Sequence, residues 1–330
     1  MTFTYNDVYV KDTATIAGPY EKKGPLKKYF DKTFDDLYYD EDSWEKAEIK
    51  SVKESLKLLH KKVGIKRKEV DVILGGDLLN QIAATTYGAY NFSKCFLGLY
   101  GACSTSVEAM ILGSVLIDAK RVKNAIVTVS SHNMAAEKQF RNPTEYGAPK
   151  PKSATFTATG SASMLLTKEK TDIKVESSTI GQIIDLNQND PNDMGKVMAP
   201  AAIDTIKRHL KDLNRKPDYY DLIVTGDLGL YGKEILKDYM LEDYDLDLKD
   251  NYNDCGVMLY DLKEQEECLA GGSGPVCSAL VSFGYIYHEM KKKNLKRVLI
   301  VATGALFSPA MVYQKENIYS IANAISLEVV

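Results

Sequence analysis

No stretch of the 330-residue sequence reaches the roughly 18 uninterrupted apolar residues that a membrane-spanning helix needs. The nearest run, Val298 to Val312, is broken by Thr303, Gly304, Ser308 and Pro309. The N-terminus carries Asn6, Asp7, Lys11 and Asp12 where a secretory signal would be apolar, so a protein made and kept inside a cell is expected. Cysteine is sparse. Cys95, Cys103, Cys255, Cys268 and Cys277 form no CxxC pair, and an odd count in a chain this long points to free thiols rather than a disulfide framework or structural zinc. A net charge of −3 gives no general attraction for nucleic acid, and none is expected as a partner. With 45% hydrophobic and 26% charged residues, the composition excludes a disordered chain.

Against these absences stands a repeat. Residues 54–78 (ESLKLLHKKVGIKRKEVDVILGGDL) align without a gap on 204–228 (DTIKRHLKDLNRKPDYYDLIVTGDL), with eight of 25 columns identical, Asp77/Asp227 among them. Both copies read as an amphipathic helix, a polar turn, a β-branched run and then Gly-Asp. The first helix has a start signal in Asp42 and Glu45, followed by Trp44, Ala47, Val52, Leu56 and Leu59 near helical spacing. Its counterpart is expected from about Ala201 through Ile206, Leu210 and Leu213. A weaker match follows in the same order: Gly101–Lys123 leading into AIVTVSS, and Gly274–Lys296 leading into VLIVATG. The segments 159–168 and 304–314 are then expected as equivalent closing strands.

Such a chain is α/β, built of two duplicated βαβ-rich halves, residues 1–186 and 187–330, packed back to back as a layered α-β-α-β-α sandwich. The alternative is two independent α/β domains joined near Asn187–Met194. Charge decides between them. Gly101–Asp118 carries only Glu108 and Asp118, and Gly274–Tyr287 carries no charge, so these helices are expected to be buried between the halves.

The segment YGACSTSVEAMILGSVLIDA (100–119) places Cys103 where a glycine-containing turn meets a buried helix. Amides at a helix start lack intrahelical partners and the dipole favours negative charge there, so Cys103 is a candidate reactive thiol and its turn, with Ser104, a candidate carboxylate site. An inert buried cysteine at a tight helix contact is the other reading.

At these residues the chain resembles the thiolase and ketoacyl synthase superfamily, through the duplicated halves, GACST, the GGSG turn and the VATGALFSP ending. More closely, GDLLNQ (76–81), GACSTS (101–106), SSHNMAAEKQFRNPTEYG (130–147), MAPAAIDTIK (198–207), TGDL (225–228), NDCG (253–256) and GGSGPVCSA (271–279) are similar to the stage V sporulation protein AD family. The resemblance spans about residues 10–330. It implies a thiolase-like fold, binding of dipicolinic acid with or without accompanying calcium, and a place in the machinery that moves this compound into the developing spore. It further implies membrane-embedded partner subunits at the spore inner membrane, and a homodimer paired through an edge strand. No cofactor is implied.

A catalyst of that superfamily pairs its cysteine with His and Asn, or two His. Here the His-bearing turn falls at Thr225, Gly226 and Asp227, and the later turn falls in GGSGPVCS, which has neither residue. A non-catalytic binding protein is therefore expected, the alternative being an acyltransferase or ketoacyl synthase-like enzyme with Cys103 as acyl acceptor. Of four histidines, His60, His209 and His288 are expected at the surface or its boundary. His132 follows an apolar strand, where α/β sheets place ligands, so it or Asn133 is a candidate ligand group, with a backbone-bonded loop histidine as the other reading. Only six arginines stand against 36 lysines, which singles out Arg141 in the 27-residue connector 132–158, with Lys150 and Lys152 and with Phe140 and Tyr146 as stacking surfaces. Asp77 and Asp227 either bond amides at their turns or hold calcium with the ligand. Tyr38-Tyr39 and Tyr219-Tyr220 are either partner surfaces or packing.

Overall fold

A computed structural model describes residues 1–92, 94–140 and 149–330. The apolar runs form ten principal strands: β1 Tyr9–Ala17, β2 Val72–Gly76, β3 Cys95–Gly98, β4 Asn124–Ser131, β5 Gly160–Thr167, β6 Ile173–Thr179, β7 Leu222–Thr225, β8 Tyr252–Asp254, β9 Arg297–Leu306 and β10 Tyr319–Val329. Their order is β8-β7-β9-β10-β6-β1-β5-β4-β2-β3. Read outward from the β6–β1 junction, each half repeats one pattern: β2 is parallel to β3 and β4, and β7 is parallel to β8 and β9, while the remaining pairs are antiparallel. At the junction β1 and β6 pair through one residue pair, Tyr9 with Lys174. The expected duplication is thus present in the strand order itself. The pairing also gives Ile173–Thr179 to the second half's sheet, although it precedes the 186/187 division.

Helices fill the layers as the charge pattern requires. On the first sheet's outer face, α1 (Trp44–Val63) packs Val52, Leu56 and Leu59 against Ile73, Ile126 and Leu165. On the second, α4 (Met194–Asp212) and α5 (Gly229–Tyr244) cover Ile223, Leu299 and Val301. Between the sheets lie α2 (Thr105–Asp118) and α6 (Pro275–Ala279), the latter continuing through a π segment, Leu280–Ile286, and Tyr287–Lys291. Met110 and Ile111 of α2 share one core with Phe283 and Ile286, and with strand residues of both halves such as Val127 and Ile300. Helix α3, Asn133–Phe140, follows β4.

Several expectations are corrected. Ser43, not Asp42, caps α1 by accepting from the Lys46 amide at 3.3 Å, and Asp42 instead pairs with the Lys46 ammonium at 2.7 Å. The helix expected from about Ala201 starts at Met194, capped by Asp193, and runs through Pro200; its early turns are buried by Val197, Met198 and Ala201, and packing outweighs the proline's missing amide. The segment 304–314 is no closing strand: Pro309 opens a short helix, Pro309–Tyr313, and β10 closes the half instead. His209 is fully buried rather than at the surface, bonded to Thr179 at 2.8 Å and to Tyr220 at 2.7 Å. Burial, then the charge of Arg215, pushes its imidazole down to about 4. His60 and His288 are half-buried. Of the tyrosine pairs, Tyr39 stacks on Phe34 at 4.0 Å, Tyr219 lies under Arg215 and Arg297 and Tyr220 is buried, whereas Tyr38 is exposed.

Candidate functional site

The turn Gly101–Ser104 delivers Cys103 to the start of α2. Ala102 holds a left-handed φ of 51°, and the Ser104 amide and hydroxyl both donate to the Gly101 carbonyl, at 3.1 and 2.8 Å. Thr105 closes the turn by donating to the Ala102 carbonyl at 2.7 Å. Ser104 therefore shapes the turn and faces away from the open space. Half-buried Cys103 does border a cavity of about 260 Å³, whose walls come from both halves. Apolar groups dominate: Leu78, Tyr100, Ala136 and Phe140 from the first half, Met194, Met198, Ala305, Leu306 and Phe307 from the second. The polar lining is Thr157, Ser273, Asp227 and the thiol. Phe140 and Phe307 face each other across it, 6.0 Å between ring centroids.

Asp227 is the sulfur's partner. It is buried, and its carboxylate accepts from the Cys103 thiol, from Thr303 Oγ1 at 2.6 Å and from the Gly274 amide at 3.0 Å. Burial pushes its carboxyl up to about 7 against those three donors, and the neighbouring Asp254 carboxylate adds to the rise. Both positions at which the superfamily resemblance places imidazole and amide partners thus do converge on the thiol, as Asp227 and as the Ser273–Gly274 turn. None of the four histidines lines the cavity.

The repeated aspartates have parted roles. Asp77 accepts from the Leu79 amide at 2.8 Å and the Thr85 amide at 2.7 Å, pinning the turn before a short helix, Ala83–Ala89. It does not border the cavity. Burial raises its carboxyl, and it faces the buried Glu48, whose own carboxyl is raised well above the usual range by burial and by Asp77. Asp254 takes the turn-pinning task in the second half. No group of three or more metal-ligating side chains occurs among the described residues.

The other candidates scatter. His132 is buried, its Nε2 donating to the Leu37 carbonyl at 2.7 Å, and burial pushes it down to about 4. This is the backbone-bonded histidine of the second reading. Asn133 is buried, its Nδ2 donating to the Thr157 carbonyl at 3.3 Å, and so sits behind the cavity wall. Lys150 pairs with buried Glu137 at 2.6 Å, and Lys152 is exposed. Arg141 and Tyr146 lie outside the described residues. Sequence reasoning missed Met194, Met198 and Phe307. One signal for Met198 was at hand, because extending the ungapped repeat pairs it with Glu48, a charged residue in one half against an apolar one in the other.

Residues 1–328 match the family described as Stage V sporulation protein AD. The Stage V sporulation protein AD of Bacillus subtilis (strain 168) is 45% identical over 322 residues, covering 97% of this chain and 94% of that protein. Among solved structures, cerulenin-bound OleA of Xanthomonas campestris superposes with a TM-score of 0.59 at 11% identity, over 99% of this chain and 98% of that one. The 3-oxoacyl-[acyl-carrier-protein] synthase III of Aquifex aeolicus VF5 does so with a TM-score of 0.57 at 11% identity, over 97% and 99%. At such identities the likeness establishes the thiolase-like fold alone.

Proposed function

The chain belongs to the Stage V sporulation protein AD family, and from that premise we propose that it is a non-catalytic receptor for dipicolinic acid, serving uptake of the compound into the developing endospore. The observation that carries the non-catalytic part is the carboxylate on the Cys103 thiol. An imidazole that takes the thiol proton becomes a cation that pairs with the thiolate, whereas Asp227 taking it becomes a neutral acid and leaves the buried thiolate without a counter-charge. It also offers no neutral or cationic N–H to a developing oxyanion. What is left is a walled cavity with flat aromatic faces and a few convergent polar groups, the usual make-up of a small-molecule site. Dipicolinate presents a planar ring to Phe140 and Phe307 and a carboxylate to the polar end of the cavity, where Thr157 and Ser273 stand. No lysine or arginine lines the cavity among the described residues, so calcium entering with the ligand would supply the missing positive charge beside Asp227, with Arg141 as the other source. Movement across the membrane falls to membrane-embedded partners, because no helix among the described residues is long and apolar enough to cross one.

The runner-up, an acyltransferase using Cys103 as acyl acceptor, draws on one fact: the thiol does open onto the cavity. Two measurements separate the readings. Calorimetry with dipicolinate is expected to show binding that calcium strengthens and that Cys103→Phe, by filling the cavity, weakens at least about tenfold. Intact-mass analysis after incubation with acyl-CoA is expected to show no adduct. An acyl group retained or turned over on Cys103, with no dipicolinate binding, would reverse the assignment.

A further inference from the structure

Glu21, on the turn after β1, is fully buried and lies outside the site just described. Its Oε1 accepts from the Tyr260 hydroxyl and from the Thr159 amide at 3.0 Å, while Oε2 is buried with no hydrogen-bond partner. A Cβ built on Gly18 would stand 2.7 Å from Oε2, so the turn packs closely against it. Glu21 and Thr159 belong to the first half and Tyr260 to the second, so this one side chain ties the halves together. The tie lies directly behind the cavity wall. Phe156 packs on Tyr20 at 4.9 Å and on Tyr260 at 5.8 Å. Phe156–Thr157 pairs in parallel with Gly272–Ser273, and Thr157 and Ser273 both line the cavity.

We propose that Glu21 is a proton-operated positioning residue: protonated, it clamps Thr159 to Tyr260 and holds the Thr157–Ser273 wall closed, and ionised, it loosens that wall. A negative charge on Glu21 would sit fully buried with one oxygen unbonded, so the neutral form belongs to the closed wall and the ionised form to an opened, hydrated one. In keeping with this geometry, burial pushes the carboxyl up to about 7. The titratable and charged groups around it are Tyr260, Tyr20 and Cys268, with Cys277 beside Tyr260 and with Glu267 and Lys23 acting on Cys268. Burial raises the Tyr260, Tyr20 and Cys268 groups, so none of these three ionises before Glu21. The device is independent of which ligand the cavity takes.

The test is amide hydrogen exchange of the whole chain without ligand, read at the Phe156 and Ala158 amides, which bond across to Gly271 and Ser273. A carboxyl raised in the closed state stabilises it fully below the ordinary carboxylate value, and the contribution is lost as pH rises toward about 7. Between about pH 5 and about pH 7, wild-type protection corrected for intrinsic rates is expected to fall about tenfold more per pH unit than in Glu21→Gln, which mimics the protonated form. Tyr260→Phe removes a bond that favours the ionised form, so its fall should extend to higher pH. Parallel pH profiles for wild type and Glu21→Gln would overturn the proposal. Should Glu21→Gln not fold, an unshifted profile in Tyr260→Phe would overturn it equally.

Discussion

Asp254 shows how much structure one carboxylate can organise. It accepts from the amides of Leu228 at 2.9 Å, Gly229 at 3.0 Å, Gly256 at 3.0 Å and Val257 at 3.3 Å, and from Thr225 Oγ1 at 2.7 Å. Those bonds shape the turn carrying Asp227 to Cys103. Removing the acceptor strands buried donors that water cannot reach, so Asp254→Ala is expected to cost about 3 kcal/mol or more in urea denaturation. A loss under about 1 kcal/mol would mean that the turn reorganises around other acceptors. At this scale the sequence was only half legible. The Gly-Asp repeat singled out Asp77 and Asp227, and left open whether they were structural. Asp77 fits the first alternative by bonding amides at its own turn, whereas Asp227 reaches across the fold to Gly274, Thr303 and the thiol, a role neither alternative describes. Asp254 stood in NDCG without an assigned role: its cap of the Cys255–Leu259 helix, through Gly256 and Val257, is local, but its bonds to Thr225, Leu228 and Gly229 lie on another strand's turn and no local spacing announces them.

Among the elements, the crossing of α4 and α5 bears most directly on the cavity, because α4 supplies Met194 and Met198. The helices touch backbone to backbone. A Cβ on Gly232 would stand 2.9 Å from Gly195 Cα, and one on Gly195 would stand 2.2 Å from the Leu228 carbonyl oxygen. Alanine is the better helix former by about 1 kcal/mol, but here it meets rigid backbone, and overpacking of this kind costs about 1–3 kcal/mol. Gly232→Ala is therefore expected to be destabilising by about 1 kcal/mol or more, seen as a lower urea midpoint at unchanged slope. A raised midpoint would show that the helices separate freely. Apolar periodicity revealed α1 well, since Ala47, Val52, Leu56 and Leu59 all face the sheet. It failed at the start of α4 because Pro200 reads as a boundary, and it failed at β10 because the paired strand lies beyond a proline-led helix. Both failures are cases of tertiary packing overriding a local signal.

For the whole molecule, the doubled architecture was legible because duplication leaves both a sequence trace and a charge-poor pair of central helices, and the strand order repeats in both halves. The cavity was not, since its walls are drawn from eight separate segments and its apolar lining resembles ordinary core. The same burial that makes the five layers also sets how the protein responds to pH. Glu21 and Asp227 are pushed up to about 7 and Asp254 to about 6, in each case chiefly by burial, and Glu48 and Asp77 are raised as well. A group raised on folding stabilises below its ordinary value, and that stability drains away as pH rises through the folded value. Half-buried Glu289, bonded by Asn294 and Lys292, acts in the opposite sense: it is pulled down to about 2, and its contribution is lost only in strong acid. His132 and His209, pushed down to about 4, also lose stability as pH falls below the ordinary imidazole value, but the raised carboxyls outnumber them, and the balance places the stability maximum on the acid side of neutrality. Scanning calorimetry is therefore expected to give a higher Tm at about pH 5 than at about pH 8. An equal or higher Tm at the alkaline value would mean that the buried carboxyls ionise without penalty, which would remove the physical basis of the Glu21 clamp as well.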